Sequence, residues 1–393
     1  MSYAELSDTY IAGTYGRFPV EIQSSEHSFV RDTEERTFID LGSGIAVNTF
    51  GHDEGWAEAV AAQARLLAHT SNLYYTEPQA RFAQTLCERT DMKRVFFSNS
   101  GAEANECLLK TARKWAADRW GENVRSGILA LENSFHGRTL FTLAATGQEQ
   151  FHHDFGPFPA GFSYVRPNDM DALETAFDAA AGTCCAILME LVQGEGGVVV
   201  LEPSFVQRAA ALAEKHECLL CIDEVQTGNG RTGTLFAYEQ YGIRPDIVST
   251  AKGLAGGLPM GATLFGEHTA NTLTPGSHGS TFGGNPICAA AASYVWAHLD
   301  EACLQGVKER AAYIASRLPD LPWATGSSGL GLMIGIACKE GFTAKQIAAA
   351  ALEKGVMVLT AHEKVRLLPP LNIPMDVLAQ AMDVLAGIVP DAQ

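Results

Sequence analysis

Three short segments carry residue types that could do chemistry together. Ser98-Asn99-Ser100-Gly101-Ala102-Glu103 reads as a strand end running into a helix. There Ser100, Gly101 and Ala102 offer free backbone N–H groups and a hydroxyl at the positive end of a helix dipole, which suits a phosphate and equally a plain cap. Ile222-Asp223-Glu224-Val225-Gln226-Thr227-Gly228 puts an acid after a run of apolar residues, at the carboxyl end of a strand, where open α/β sheets place their ligands. Such an Asp either pairs with a buried cation or caps the next turn. In Ser249-Thr250-Ala251-Lys252-Gly253-Leu254 a single lysine stands among small and apolar residues. Poor hydration would lower its pKa and sharpen its amine as a nucleophile, although lysines after strands are commonly just exposed.

These segments need a scaffold, and the pattern around them supplies one. From residue 56 to 290, short apolar runs alternate with Ala-rich stretches, the signature of a mostly parallel sheet with helices on both faces. Strands are expected at 94–98, 128–132, 185–190, 218–223, 246–250 and 261–266, and helices at 102–115 and 204–216. Alternation over 27–41 predicts a small antiparallel hairpin before this unit. After residue 290 come a long Ala-rich helix, a Gly-rich strand at 329–336 and a final helix. The expected fold class is therefore α/β. A large domain spans 56–290, and a smaller α+β domain is built from both chain ends, 1–55 and 291–393.

The chain has 393 residues, 47% of them hydrophobic and 19% charged, which is enough to bury a core without disulfide or metal staples. With 28 Lys and Arg against 45 Asp and Glu, the formal charge is −17. That field repels a phosphate backbone, so no nucleic-acid partner is expected, and any anionic ligand must be held by local donors. No basic leader followed by an apolar stretch and no run of eighteen apolar residues is present, so no membrane partner is expected and the chain reads as soluble and cytoplasmic. Nine cysteines, an odd number scattered through apolar stretches, read as reduced thiols. Cys218 and Cys221 have CxxC spacing but lie on an expected strand, where residues three apart face opposite sides. They read as core. His152-His153 lacks carboxylates at ligand spacing, and no metal site is expected.

A phosphate cradle, an acid for a protonated ring nitrogen and an activated lysine, on one sheet, are the parts that hold pyridoxal phosphate. Six segments carry a family resemblance: Ser98-Asn99-Ser100-Gly101-Ala102-Glu103-Ala104-Asn105, Phe135-His136-Gly137-Arg138-Thr139, Gln193-Gly194-Glu195-Gly196-Gly197, Asp223-Glu224-Val225-Gln226-Thr227-Gly228, Ala251-Lys252-Gly253 and Gly279-Ser280-Thr281-Phe282-Gly283-Gly284-Asn285-Pro286. Together they resemble the class III, ω-amino group of pyridoxal-phosphate aminotransferases over nearly the whole chain. Thr14-Tyr15-Gly16-Arg17-Phe18-Pro19-Val20 and Gly44-Ile45-Ala46-Val47-Asn48 are similar to members that take an acylated ornithine.

The resemblance implies fold type I of the pyridoxal-phosphate transferases and a set of roles. Lys252 would anchor the cofactor and shuttle the substrate proton, and Asp223 would hold the ring nitrogen protonated. Gln226 would bond the ring's 3-oxygen and Phe135 would stack on the ring. Ser100, Gly101, Ala102, Glu224 and Val225 fall among the family's cofactor contacts. Thr281 would reach the phosphate of a second subunit, which makes the expected partner another copy of the chain in a homodimer with shared sites. For the small-molecule partners, an ω-amine donor and 2-oxoglutarate, Arg138 would take the distal carboxylate with Ser280 beside it, and Arg366 the α-carboxylate. Glu195 would pair with Arg366 while the ω-amine is bound and release it for the oxo acid.

One departure stands out. Where the family has Gly-His-x-His-Pro, this chain reads Gly51-His52-Asp53-Glu54-Gly55-Trp56, so the following helix is expected to begin differently. His136 invites a general-base role that Lys252 already fills. The nearest competing reading is another ω-aminotransferase of the same class, acting on ornithine, succinylornithine, succinyldiaminopimelate or 4-aminobutyrate; an aminomutase on the same fold is a further one, which the Thr14–Val20 segment opposes. A cofactor-binding regulatory domain is another, but it would need a basic DNA-binding segment that this acidic chain lacks.

Overall fold

The computed structural model describes residues 1–389, so the last four residues of the expected 291–393 unit lie outside the described residues. Its centre is a seven-stranded sheet in the order Arg94–Ser98, Gly261–Phe265, Ile247–Thr250, Leu219–Asp223, Cys184–Met189, Gly127–Leu131, Phe162–Val165. Gly261–Phe265 runs antiparallel to both neighbours and every other pairing with a neighbour is parallel. The interior strands read as unbroken apolar runs because helices cover both faces: Cys184–Met189 and Leu219–Asp223 are buried at every position. Cys218 and Cys221 fall into different hydrophobic clusters, as opposite strand faces require.

The expected elements recur with shifted ends. The helix placed at 102–115 runs Gly101–Trp120, because Ala116, Ala117 and the Lys114–Asp118 pair continue it until Gly121, whose φ of 97° ends the turn. The strand Phe162–Val165 and the helix Met170–Ala179 were not anticipated. The helix Pro286–His298 crosses the boundary expected at 290.

Outside the central sheet one expected element is present and extended and another is split. The hairpin expected over 27–41 forms from Phe29–Asp32 and Thr37–Asp40, paired antiparallel; Ile22–Glu26 extends it to a three-stranded meander, which Val356–Met357 joins in parallel from the other end of the chain. The strand expected at 329–336 is split by a bend at Gly331-Leu332: its first two residues end Ala324–Leu330 and the rest open Met333–Cys338, and the two strands form a hairpin. Gly331 at the bend has φ 54°, and a Cβ on Gly329 would run into the Met333 carbonyl. Glycine there signals a turn. The hairpin pairs with Lys364–Leu367 and then Leu359–Ala361 in a four-stranded sheet.

The altered Gly51–Trp56 stretch resolves locally. Asp53 accepts the Trp56 N–H at 2.8 Å and so caps the helix Glu54–Leu66, and the Tyr294 hydroxyl bonds the same carboxylate at 2.6 Å. Among the described residues no helix is long and apolar enough to cross a membrane.

Candidate active site

The site assembles at the carboxyl ends of adjacent central strands, where the backbone leaves the sheet and side chains can converge on one crevice. Asp223 ends Leu219–Asp223 and is buried. Its Oδ2 accepts Asn105 Nδ2 at 2.7 Å and lies 2.8 Å from His136 Nδ1, while its Oδ1 accepts the Val225 N–H at 2.9 Å. Asn105 is fixed in turn by the Ser249 hydroxyl at 2.6 Å and by donating to the His136 carbonyl at 2.8 Å. The carboxylate is thus locked before any ligand arrives.

Lys252 follows the neighbouring strand Ile247–Thr250 and opens a tight turn, Lys252–Ala255. Its φ of 47° is left-handed, a conformation that costs energy for a non-glycine residue and clusters at functional sites. Burial is the largest influence on its amine and lowers its pKa; the Glu195 charge opposes this and Arg366 reinforces it. An amine held below the ordinary lysine range is more often unprotonated near neutrality, and so available to act as a nucleophile or to accept a proton.

Across the crevice, Ser100 caps Gly101–Trp120 by accepting the Glu103 N–H at 3.1 Å, leaving Gly101 and Ala102 at the helix start. A Cβ on Gly101 would meet Val225 Cγ1 at 2.7 Å, so only glycine lets the cradle close on the turn that carries Asp223. Glu224 is oriented differently from its neighbours: its carboxylate accepts the Tyr238 N–H and the Thr227 hydroxyl within the core, and burial raises its pKa to about 7. Its side chain therefore anchors the turn, although the family pattern groups it with the cofactor contacts.

On the other side, Glu195 Oε1 lies 2.7 Å from Arg366 Nη1. Burial raises the Glu195 pKa, but the Arg366 charge and hydrogen bond overcome it and hold the carboxyl below its usual range. Arg366 is 2% exposed, its Nη1 also reaches Gln226 Oε1 at 3.4 Å, and its Nε has no partner. A buried guanidinium with an unused donor is prepared for a further acceptor. Arg138 is exposed and lies over the Phe151 ring at 3.9 Å and the Phe135 ring at 5.4 Å. Phe135 is half-buried, its N–H bonded to Glu190 Oε1 at 2.8 Å.

Ser280 and Thr281 sit elsewhere within the subunit. Ser280 Oγ takes Asn99 Nδ2 at 3.2 Å and the Gly283 N–H at 3.0 Å. Both residues line an open groove of about 820 Å³ with His69, Leu73, Phe96 and His278. Thr281 is exposed there, and Leu73, Tyr74, Tyr75 and Phe282 lie exposed in the same two segments.

Three site residues escaped the sequence reading of roles. Asn105 and His136 carry no local sign of a partner, yet both hold Asp223. Glu190 directly follows Cys184–Met189, much as Asp223 ends its own strand, an acid after an apolar run. It is 6% exposed, accepts the Phe135 and Gly194 N–H groups, and is raised to about 7 by burial despite the opposing His136 charge.

A helix start free of side-chain bulk, a fixed carboxylate and a desolvated amine fit a phosphate-bearing aldehyde with a basic ring nitrogen. The comparisons agree. The family model for class III aminotransferases matches residues 10–389. The acetylornithine aminotransferase of Haemophilus ducreyi is 47% identical over 386 residues, 98% of each chain. The succinylornithine transaminase of Salmonella paratyphi A is 43% identical over 96% of this chain and 93% of its own. Among solved structures, the N-acetylornithine aminotransferase of Stenotrophomonas maltophilia aligns with a TM-score of 0.84 at 34% identity, covering 97% of both chains. The ornithine aminotransferase of Toxoplasma gondii gives 0.93 at 28% identity, covering 98% of this chain and 93% of that one.

Proposed function

The chain belongs to the class III aminotransferases, and from that premise we propose that it moves the δ-amino group of N2-acetyl-L-ornithine to 2-oxoglutarate. The products are N-acetyl-L-glutamate 5-semialdehyde and L-glutamate, a step of arginine synthesis. The observation that carries this reading is the Glu195–Arg366 pair at 2.7 Å. A buried arginine that a carboxylate covers and can uncover answers the problem of one site serving an ω-amine and then a dicarboxylic oxo acid.

Pyridoxal phosphate is the proposed cofactor; when bound it supplies an aldehyde for the donor amine and a ring that draws electrons from the donor carbon. Asp223, with Asn105, His136 and Val225 fixing it, would hold the ring nitrogen's proton. Gly101, Ala102 and Ser100 would bind the phosphate, Gln226 the 3-oxygen, and Phe135 the ring face. Lys252 Nζ, its proton affinity lowered by burial, would anchor the cofactor and then take the proton from the donor's δ-carbon. Arg138 would bind the donor carboxylate with Ser280 near it, and Arg366 the oxo acid once Glu195 swings away.

We place the protein in the cytoplasm as a homodimer, in which the groove holding Ser280 and Thr281 faces the second subunit's phosphate. The exposed Leu73, Tyr74, Tyr75 and Phe282 beside it support a covered face. We also retain 56–290 as the cofactor-binding domain, with 1–55 and 291–393 forming the smaller one.

The test is the visible spectrum of the purified holoenzyme during addition of acetylornithine and then 2-oxoglutarate. Loss of the cofactor band on the first addition and its return on the second are expected, with neither change in Lys252→Ala. A band that acetylornithine leaves untouched would refute the substrate assignment. Succinylornithine is the second reading, favoured by the 43% identical relative, and the same titration decides between the two donors. Dependence of turnover on added 2-oxoglutarate excludes a mutase.

A further inference from the structure

Glu195 sits on a five-residue turn, 194–198, between the short paired strands Val192–Gln193 and Val199–Val200. The turn ends on an outlier. Val198 is completely buried yet has φ 52°, a left-handed conformation that a β-branched residue adopts only when its surroundings enforce it. Those surroundings are specific. Ser328, Gly335 and Arg366 form one row across the four-stranded sheet, since Ser328 pairs with Gly335 and Gly335 with Arg366. Residues directly opposite in a sheet share a face, and Gly335 leaves a gap in this row.

Val198 fills that gap: a Cβ on Gly335 would meet Val198 Cβ at 2.8 Å and Lys364 Cδ at 3.1 Å. The Val198 carbonyl then accepts the Ser328 hydroxyl at 2.6 Å, and Ser328 Oγ accepts Lys364 Nζ at 2.7 Å. Lys364 lies two residues before Arg366 on the same strand, hence on the same face. Burial lowers the Lys364 pKa, so the bond to Ser328 replaces hydration the ammonium has lost. The strand that presents Arg366 therefore also grips, through Lys364 and Ser328, the turn that presents Glu195.

We propose that Lys364 and Ser328 are positioning residues for substrate discrimination, a latch that holds Val198 in its strained conformation and thereby sets Glu195 against Arg366. The inference rests on the gating role given above to Glu195. When the ion pair opens for an oxo acid, the latch keeps the turn in register so that the pair re-forms for the next ω-amine. Without the latch, Val198 relaxes, Glu195 leaves Arg366 more readily, and a dicarboxylate meets less competition.

The experiment measures glutarate binding to the holoenzyme by calorimetry, since glutarate has the two carboxylates of 2-oxoglutarate but no oxo group to react. Ser328→Ala and Lys364→Met should each bind glutarate about three- to tenfold more tightly and raise KM for the ω-amine donor with kcat little changed. Ser328→Thr, which keeps a hydroxyl, should restore both values. In a Glu195→Ala background, which itself tightens glutarate, Ser328→Ala should add nothing, because the two changes act on one interaction. Unchanged glutarate affinity in Ser328→Ala and Lys364→Met, alongside tightening in Glu195→Ala, overturns the latch and leaves the gate standing. No tightening in Glu195→Ala removes the gate and the latch with it. Should Ser328→Ala not fold, Lys364→Met decides the question by the same titration.

Discussion

Replacing Glu224 by Gln should raise stability modestly at pH 5 and more strongly at pH 8. Glu224 is fully buried, and loss of hydration raises its pKa from 4.5 to about 7. Between those values the folded chain holds a proton that the unfolded chain releases, so stability falls as pH rises, by about 1.4 kcal/mol per pH unit. The accumulated cost is about 1 kcal/mol at pH 5 and about 3 kcal/mol at pH 8, where it levels off. Glutamine keeps one oxygen for the Tyr238 N–H, and its amide can donate to the Thr227 hydroxyl, so both contacts of the carboxylate persist. Glu224→Gln removes the titration without stranding a donor. Urea unfolding of parent and variant at fixed protein concentration, from pH 5 to 8, should show the variant more stable by about 1 kcal/mol at pH 5 and by about 3 kcal/mol at pH 8. A pH-independent difference would refute the claim that this carboxyl is protonated in the folded chain near neutrality.

Other changes probe the site from different directions. Asn105→Ala strips Asp223 of one donor and leaves the Ser249 hydroxyl and the His136 carbonyl unpartnered; a loss of about 2–4 kcal/mol in urea unfolding is expected, and a loss under about 1 kcal/mol contradicts the network. Gly101→Ala drives a methyl into Val225 and should weaken cofactor binding roughly tenfold in equilibrium dialysis, with unchanged affinity counting against the cradle. Asp53→Ala removes both the cap to Trp56 and the Tyr294 partner and should cost about 1–2 kcal/mol in the same unfolding assay, independently of cofactor.

How far the sequence carried the argument depends on the kind of signal each residue leaves. Asp223 was legible because it follows an apolar run at a strand end, Lys252 because a single lysine stands among small residues after a strand, and Ser100-Gly101 because a small-residue turn precedes a long helix. Glu190 leaves the same signal as Asp223, an acid after an apolar run, but the resemblance attaches no role to it. Gly331 misled: a stretch of alternating glycine and apolar residues reads as one continuous strand until the left-handed φ of Gly331 divides it into a hairpin. Val198 gave no warning, since nothing in a Gly-Gly-Val triplet announces that the valine rather than the glycines carries the strain.

Local order along the chain therefore determined most strands of the central sheet and the residues that stand at their carboxyl ends, because hydrophobic period and turn chemistry act over a few neighbours. The partnerships belong to the tertiary structure. Asn105 meets Asp223 across 118 positions, Glu195 meets Arg366 across 171, and Ser328 meets Val198 across 130. No local periodicity encodes such pairs. They arise when the order of strands in the two sheets brings distant segments together in low dielectric, where an unpaired charge or donor is costly enough that each finds a fixed partner.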